Sequence, residues 1–244
     1  MEWYRKFMTK IHALHGFLGL PTDWQRFNLP NLHAYSLRRP SLAPAADGLW
    51  GWAKRFNRLA QPRHDDILMG YSLGGRLALH ALLDNPNQWR AGIIISAHPG
   101  LTSKEEKIKR VQADKAWADR FGNDPWQDVI RDWNCQAVFG GKSFPLKRSE
   151  HQFLRKNLQD QLKFFSTGHQ DDLSEALKGL PLPILWISGQ LDTKFLAKAH
   201  ELTFSHPLSR VESIAHAGHR APWEQSILFL KIIQSFIQEV LSCP

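Results

Sequence analysis

The sequence predicts an α/β protein with a mostly parallel, doubly wound sheet and an inserted helical cap. Short β-type runs alternate with helical segments along most of the 244 residues. Several runs, such as GIII and PILWI, are almost continuously apolar, as in strands that helices cover on both faces. A long interval from Pro99 to about Leu180 contains helical and charged segments but no convincing β run.

Six segments have the length and composition of strands, and four others have helical periodicity. The predicted strands are Ile11 to Leu14, Leu32 to Ser36, Ile67 to Met69, Gly92 to Ser96, Ile184 to Ser188 and Arg210 to Ile214. The predicted helices are Leu49 to Leu59, Gly74 to Leu83, Phe195 to Leu202 and Trp223 to Leu241.

The interval without strands is too long for a simple loop, so we expect a helical cap over the carboxyl edge of the sheet. Residues 1–98 and 181–244 would then form the core, and residues 99–180 the cap. Ligands of open α/β sheets bind at that edge, so the cap would cover the site.

The amino-acid composition indicates which kinds of ligand and which location to expect. The chain carries 31 Lys and Arg against 23 Asp and Glu, a net charge of +8, which favours an anionic ligand. The cations are scattered and no nucleic-acid motif accompanies them, so nucleic acid is not expected. The two cysteines, Cys135 and Cys243, indicate neither a disulfide framework nor a zinc site. With no signal peptide or membrane span evident, we expect a cytoplasmic protein that does not insert into membranes.

The segment GYSLGG, residues 70–75, lies between a predicted strand and a predicted helix. It matches G-x-S-x-G, in which a serine occupies a strained turn and its neighbours must be small. The pattern predicts an exposed hydroxyl on Ser72, although an ordinary Gly-rich turn is the alternative reading.

A nucleophilic or basic serine needs a histidine to accept its proton and an acid to orient that histidine. Asp192 follows an apolar strand, and His219 lies in the loop after the last strand, which gives the chain order Ser, Asp, His. His216 is the competing base but lies almost at the strand end. Asp192 could also cap the following helix.

Two backbone N–H groups are candidates for an oxyanion hole. The segment LHGFLG places Phe17 just beyond a strand, and Leu73 directly follows the serine. Their N–H groups could face one point above Ser72.

Three arginines predict an anionic substrate. Arg76 lies one helical turn after Ser72, and Arg110 and Arg155 belong to the predicted cap. Together they would suit a substrate with several carboxylates, although a solvated helix face is the simpler reading for each cap arginine alone. Tyr71 and Trp133 are candidates for the pocket wall.

These motifs, in this order, resemble the α/β-hydrolase superfamily over nearly the whole chain. The segments LHGFLG, GYSLGGR, HPGL with QADKAWADRF, and AGH also resemble the 2-succinyl-6-hydroxy-2,4-cyclohexadiene-1-carboxylate synthase family. That family eliminates pyruvate in menaquinone biosynthesis. The usual Gly-rich GHG loop is replaced here by HAYSLRRPSLAPAADG.

The resemblance implies a triad of Ser72, Asp192 and His219 and an oxyanion hole of Phe17 and Leu73. It further implies carboxylate binding by Arg76, Arg110 and Arg155, with Tyr71 and Trp133 lining the site. Neither a metal nor an organic cofactor is implied, and the partner is a small polycarboxylate. Two alternatives remain open: a covalent serine hydrolase of an anionic ester, thioester or C–C substrate, and a catalytically silent protein that only binds a ligand.

Overall fold

The sheet contains six parallel strands in the order β2-β1-β3-β4-β5-β6. The structure is a computed structural model that describes residues 9–38, 40–140 and 146–243. This sheet confirms the predicted α/β class. The strands are β1 (Ile11–Leu14), β2 (Leu32–Tyr35), β3 (Ile67–Tyr71), β4 (Ala91–Ile95), β5 (Ile184–Gly189) and β6 (Arg210–Ile214).

Helices cover both faces of the sheet. Helices α1 (Gly48–Ala60) and α2 (Leu73–Asp84) pack on one face, and the C-terminal helix packs on the other. Side chains of β3 alternate between the two apolar layers, with Leu68 in one and Ile67 and Met69 in the other. The remaining helices are α3 (Lys104–Asn123), α4 (Trp126–Asn134), α5 (Arg155–Phe164), α6 (Ser174–Lys178), α7 (Thr193–His200), α8 (Ala221–Glu224) and α9 (Ser226–Ser242).

The C-terminal helix differs from its prediction. One helix was expected from Trp223 to Leu241, but the structure has a short α8 and a long α9. Gln225 separates them with a backbone of φ −136° and ψ 60°, which no helix accommodates. The break lets the chain leave the loop that carries His219 and then turn along the sheet.

The segment between β4 and β5 contains helices α3 to α6 and no strand among its described residues. Helices α3, α4 and α5 bury a separate apolar cluster that includes Phe121, Val129 and Leu158. We call residues 99–164 the cap segment because, from Phe165 onward, apolar side chains join the main core instead. The packing therefore changes before the boundary predicted at residue 180. No helix in the described ranges is long and apolar enough to cross a membrane.

Candidate active site

Ser72 lies in a sharp turn between β3 and α2. Its backbone has φ 51° and ψ −112°, a strained conformation for a residue with a side chain. A Cβ on Gly70 would lie 2.3 Å from the carbonyl oxygen of Gly74, and one on Gly74 would lie 2.4 Å from that of Leu14. Only glycine fits at these positions, which explains the sequence on either side of the serine.

His219 joins Ser72 to Asp192. Its Nε2 lies 3.0 Å from the Ser72 Oγ, and its Nδ1 lies 2.6 Å from Oδ2 of Asp192. The three residues follow β3, β5 and β6, so the carboxyl ends of parallel strands bring them to one edge. Asp192 and His219 are buried, whereas Ser72 is half-buried. His216, the alternative base, is exposed.

Gly189, at the end of β5, allows the acid and the histidine to approach each other. A Cβ here would lie 2.1 Å from the carbonyl oxygen of Gly218 and 2.4 Å from that of Ala217. The N–H of Leu191 donates to that Ala217 carbonyl at 2.8 Å, which joins the two loops directly. Sequence reasoning did not single out Gly189, although a glycine that ends a buried strand could have indicated a close backbone approach.

The predicted oxyanion loop is held by His15. Its Nδ1–H donates to the carbonyl of Gly16 at 2.8 Å, and its Nε2 accepts from the N–H of Leu37 at 3.2 Å. Burial lowers the pKa of His15 to about 4, so the ring is neutral at pH 7 and can make both bonds. Phe17 follows this loop, and Leu73 begins α2, where helical geometry leaves its N–H without a partner in the helix.

A cavity of about 490 Å³ opens over Ser72, between the sheet edge and the cap segment. Tyr71 and Trp133, the two candidates for the pocket wall, line it, and so does Phe17. Burial raises the pKa of Tyr71, which keeps its phenol protonated. The other described lining residues are Gly16, Leu18, Gly19, Gln127, Ile130, Asn134, Phe139, Leu146, Lys147, Arg148, Ser149 and Arg220.

Three of these lining residues are cations that sequence reasoning missed: Lys147, Arg148 and Arg220. Arg148 Nη2 lies 2.6 Å from Oδ2 of Asp23, and both side chains are at least 95% buried, at 5% and 3% exposure. The guanidinium of Arg220 stacks 3.8 Å from the ring centre of Phe139 and donates to Oδ1 of Asn134. No carboxylate is among the described lining residues, although Asp23 pairs with Arg148 from behind the wall.

Arg76 is not among the described residues that line this cavity, and its role as a carboxylate ligand stays a prediction. Its Nη2 donates to the carbonyl of Phe165 at 2.7 Å, and its Nη1 donates to Oε1 of Gln170 at 3.1 Å. Gln170 in turn donates to the carbonyl of His98 at 2.9 Å. Burial lowers the pKa of Arg76 to about 9. The side chain thus joins α2, the helix that follows Ser72, to the segment of chain that leads from the cap segment back to the sheet.

The two cap arginines are also absent from the cavity wall. Arg110 pairs along α3 with Asp114 at 2.8 Å. Arg155 donates to the carbonyls of Phe121 and Asp124 at 3.1 and 2.8 Å, near the end of α3. Both side chains therefore hold parts of the cap segment together. Within the described ranges, no group of His, Cys, Asp or Glu could hold a metal ion.

Known proteins share this fold and much of this sequence. A model of the α/β hydrolase family matches residues 13–229. The chain is 33% identical to 2-succinyl-6-hydroxy-2,4-cyclohexadiene-1-carboxylate synthase from Photorhabdus laumondii, over 92% of this chain and 84% of that protein. It is 31% identical to the same-named protein of Yersinia pseudotuberculosis, over 85% of this chain and 80% of that protein. Among solved structures, MenH from S. aureus superimposes with a TM-score of 0.78 at 21% identity, covering 95% of this chain and 94% of that one.

Proposed function

This chain belongs to the 2-succinyl-6-hydroxy-2,4-cyclohexadiene-1-carboxylate synthase family of α/β hydrolases, and on that premise we propose that it is the lyase of menaquinone biosynthesis with Ser72 as its catalytic base. The substrate is 2-succinyl-5-enolpyruvyl-6-hydroxy-3-cyclohexene-1-carboxylate. The products are pyruvate and the diene for which the family is named. The arrangement of Ser72, His219 and Asp192 is the observation that carries the catalytic assignment.

The reaction begins with removal of the proton on the ring carbon α to the succinyl ketone. The Ser72 Oγ takes this proton as its own passes to Nε2 of His219, 3.0 Å away. Asp192 holds the Nδ1–H of the same ring and stabilises the imidazolium that forms. The electron pair of the broken C–H bond forms a new ring double bond, the existing ring double bond shifts by one position, and the C–O bond to the enolpyruvyl group breaks. The proton then passes to the methylene carbon of the departing enolate to give pyruvate.

The negative charge that develops on the ketone oxygen needs donors already in place. The N–H groups of Phe17 and Leu73 are our candidates because they flank Ser72 from the oxyanion loop and from the start of α2. The N-terminus of α2 adds a favourable partial positive charge at the same point. Two fixed donors of this kind would lower the barrier to forming the enolate.

A covalent serine hydrolase is the second candidate function. The 3.0 Å contact between Ser72 and His219 would equally support attack of Oγ on a carbonyl carbon. Such an enzyme would form an acyl-Ser72 intermediate and would show a burst with an activated ester. The lyase would show neither.

Pyruvate release tests the proposal. We would incubate the cyclohexene substrate with the wild-type protein, with Ser72→Ala and with Ser205→Ala, which removes the hydroxyl of an exposed serine. The expected result is rapid release by the wild type and by Ser205→Ala and only spontaneous release with Ser72→Ala. Release at the spontaneous rate by folded wild-type protein would overturn the proposal, and an acyl-enzyme burst would favour the hydrolase.

A further inference from the structure

The loop that carries His219 is held by a second carboxylate besides Asp192. Glu224, in α8, accepts the N–H of Gly218 on Oε2 at 3.1 Å and the N–H of Arg220 on Oε1 at 3.2 Å. Gly218 and Arg220 come directly before and directly after the histidine. One side chain therefore holds the backbone on both sides of His219.

This loop needs such contacts because it is neither strand nor helix. It begins after β6 ends at Ile214, and His216 within it has a φ of 59°, which is unfavourable for a residue with a side chain. The carbonyl of Ala217 accepts from the N–H of Leu191 at 2.8 Å and fixes the part of the loop before His219. The bond from the Arg220 N–H to Glu224 fixes the part after it.

Glu224 is itself held in place through the residue before it. Trp223 is buried, and its ring packs edge-on against Tyr71 with ring centres 4.8 Å apart. The N–H groups of Trp223 and Glu224 both donate to the carbonyl of Arg220, at 2.9 and 3.0 Å. Since Tyr71 directly precedes Ser72, these contacts hold the His219 loop against the strand that carries the serine.

A carboxylate suits this position better than an amide does. Hydrogen bonds to a charged oxygen are stronger than those to a neutral one, and a carboxylate offers an acceptor to each N–H. An amide would accept from one N–H and turn its own NH₂ group towards the other. Glu224 is not bonded to the imidazole, whose two nitrogens face Asp192 and Ser72. Any effect of Glu224 on the ring therefore passes through the backbone.

We propose that Glu224 is a positioning residue for the reaction. By holding the backbone on both sides of His219, it keeps Nε2 within reach of the Ser72 Oγ and Nδ1 on Asp192. The inference rests on the proposed function for the turnover by which it is measured.

The experiment compares two carboxylates that each accept two N–H groups. Glu224→Ala and Glu224→Gln alter the first. Glu239→Gln alters the second, which lies on α9 and accepts from Arg210 at 2.7 and 3.1 Å. Arg210 begins β6, so this control lies at the opposite edge of the sheet from the triad. We would measure kcat and KM for pyruvate release, urea unfolding, and the proton NMR signal of the His219 Nδ1–H in its bond to Asp192.

Glu224→Ala should lower kcat roughly 100-fold, because a small displacement of a catalytic group has an effect of this size. Glu224→Gln keeps one acceptor and should lower kcat less, roughly 10-fold. KM should stay near the wild-type value in both, since Glu224 is not among the described residues that line the cavity. The Nδ1–H signal should weaken in both variants through faster exchange with water. Glu239→Gln should lose stability and keep the wild-type kcat and NMR signal.

A wild-type kcat and an unchanged NMR signal in folded Glu224→Ala would overturn this inference and leave the proposed function intact. An equal fall of kcat in Glu239→Gln would also overturn it, because lost stability alone would then explain the effect. If the wild type released no pyruvate, the proposed function would fail. The NMR signal in the Glu224 variants would still decide whether this carboxylate positions His219.

Discussion

Asp192 and His219 come from the ends of neighbouring strands, and Oδ2 of the first lies 2.6 Å from Nδ1 of the second. Both side chains are buried, at 5% and 4% exposure. The contact fixes the proton of the ring on Nδ1 and leaves Nε2 to accept from Ser72. The tautomer of one histidine thus depends on the charge of one carboxylate.

Asp192→Asn should lower kcat roughly 1,000- to 10,000-fold, because an amide can donate to Nδ1 and favour the wrong tautomer. The measurement is the rate of pyruvate release at saturating substrate. Asp119→Asn, which changes an exposed carboxylate of α3, is the matched control and should keep the wild-type rate. Wild-type kcat in folded Asp192→Asn would remove this carboxylate from the mechanism.

Gly189→Ala should impair both stability and turnover, because the new methyl group would lie 2.1 Å from the Gly218 carbonyl oxygen. Overpacking of this kind costs about 1 to 3 kcal/mol and would move the His219 loop away from Asp192. Urea unfolding and pyruvate release check the two effects. At Gly179 the nearest atom to an added Cβ is 3.9 Å away, so Gly179→Ala should change neither quantity. If the two variants had the same unfolding free energy and the same rate of pyruvate release, the close approach at Gly189 would not be required.

Arg76→Gln should destabilise the protein. The guanidinium makes two buried hydrogen bonds, and their loss costs about 2 to 3 kcal/mol of unfolding free energy. Urea unfolding measures this loss, and Arg58→Gln on the exposed side of α1 is the control. A large rise in KM with unchanged stability would instead make Arg76 a substrate ligand.

Stability should fall as the pH is lowered from about 6.5 towards 4. The pKa of His80, buried in α2, is about 4 in the folded protein because burial disfavours its charged form. The unfolded chain, with an ordinary pKa near 6.5, binds the proton first, so acid favours unfolding by up to roughly 3 kcal/mol at this site. His15 and His98 should also lower the stability as the pH falls, because burial lowers the pKa of each to about 4.

Unfolding free energies between pH 7 and pH 4.5 measure this dependence. His80→Gln should flatten it, whereas His64→Gln, at an exposed position, should not. An unchanged slope in His80→Gln would show that the pKa of His80 is the same in the folded and unfolded states.

The sheet and the triad could be predicted because they depend on local patterns. Apolar runs mark buried strands, and parallel strands bring their carboxyl ends to one edge, so Ser72, Asp192 and His219 had to lie close together. The cations of the cavity depend instead on how the cap segment packs. Arg148 lies outside any helix or strand, and its partner Asp23 is 125 residues away along the chain. No local pattern connects the two.

The surroundings of Arg76 could not be predicted for a related reason. Helical spacing correctly placed this side chain one turn beyond Ser72. It could not show which groups the side chain would contact there. The chain returning from the cap segment brings the carbonyl of Phe165 and the amide of Gln170 to it. Such contacts between distant segments decide whether an arginine binds a ligand or holds the fold.

The cations that line the cavity over Ser72 also bear on how the products leave. Elimination divides three carboxylates between two molecules, of which pyruvate carries one and the diene carries two. The diene keeps more of the contacts that held the substrate, because paired charges on one molecule bind together more tightly than either does alone. We therefore expect pyruvate to depart first and the diene to leave last, so that accumulating diene competes with fresh substrate for the same cations.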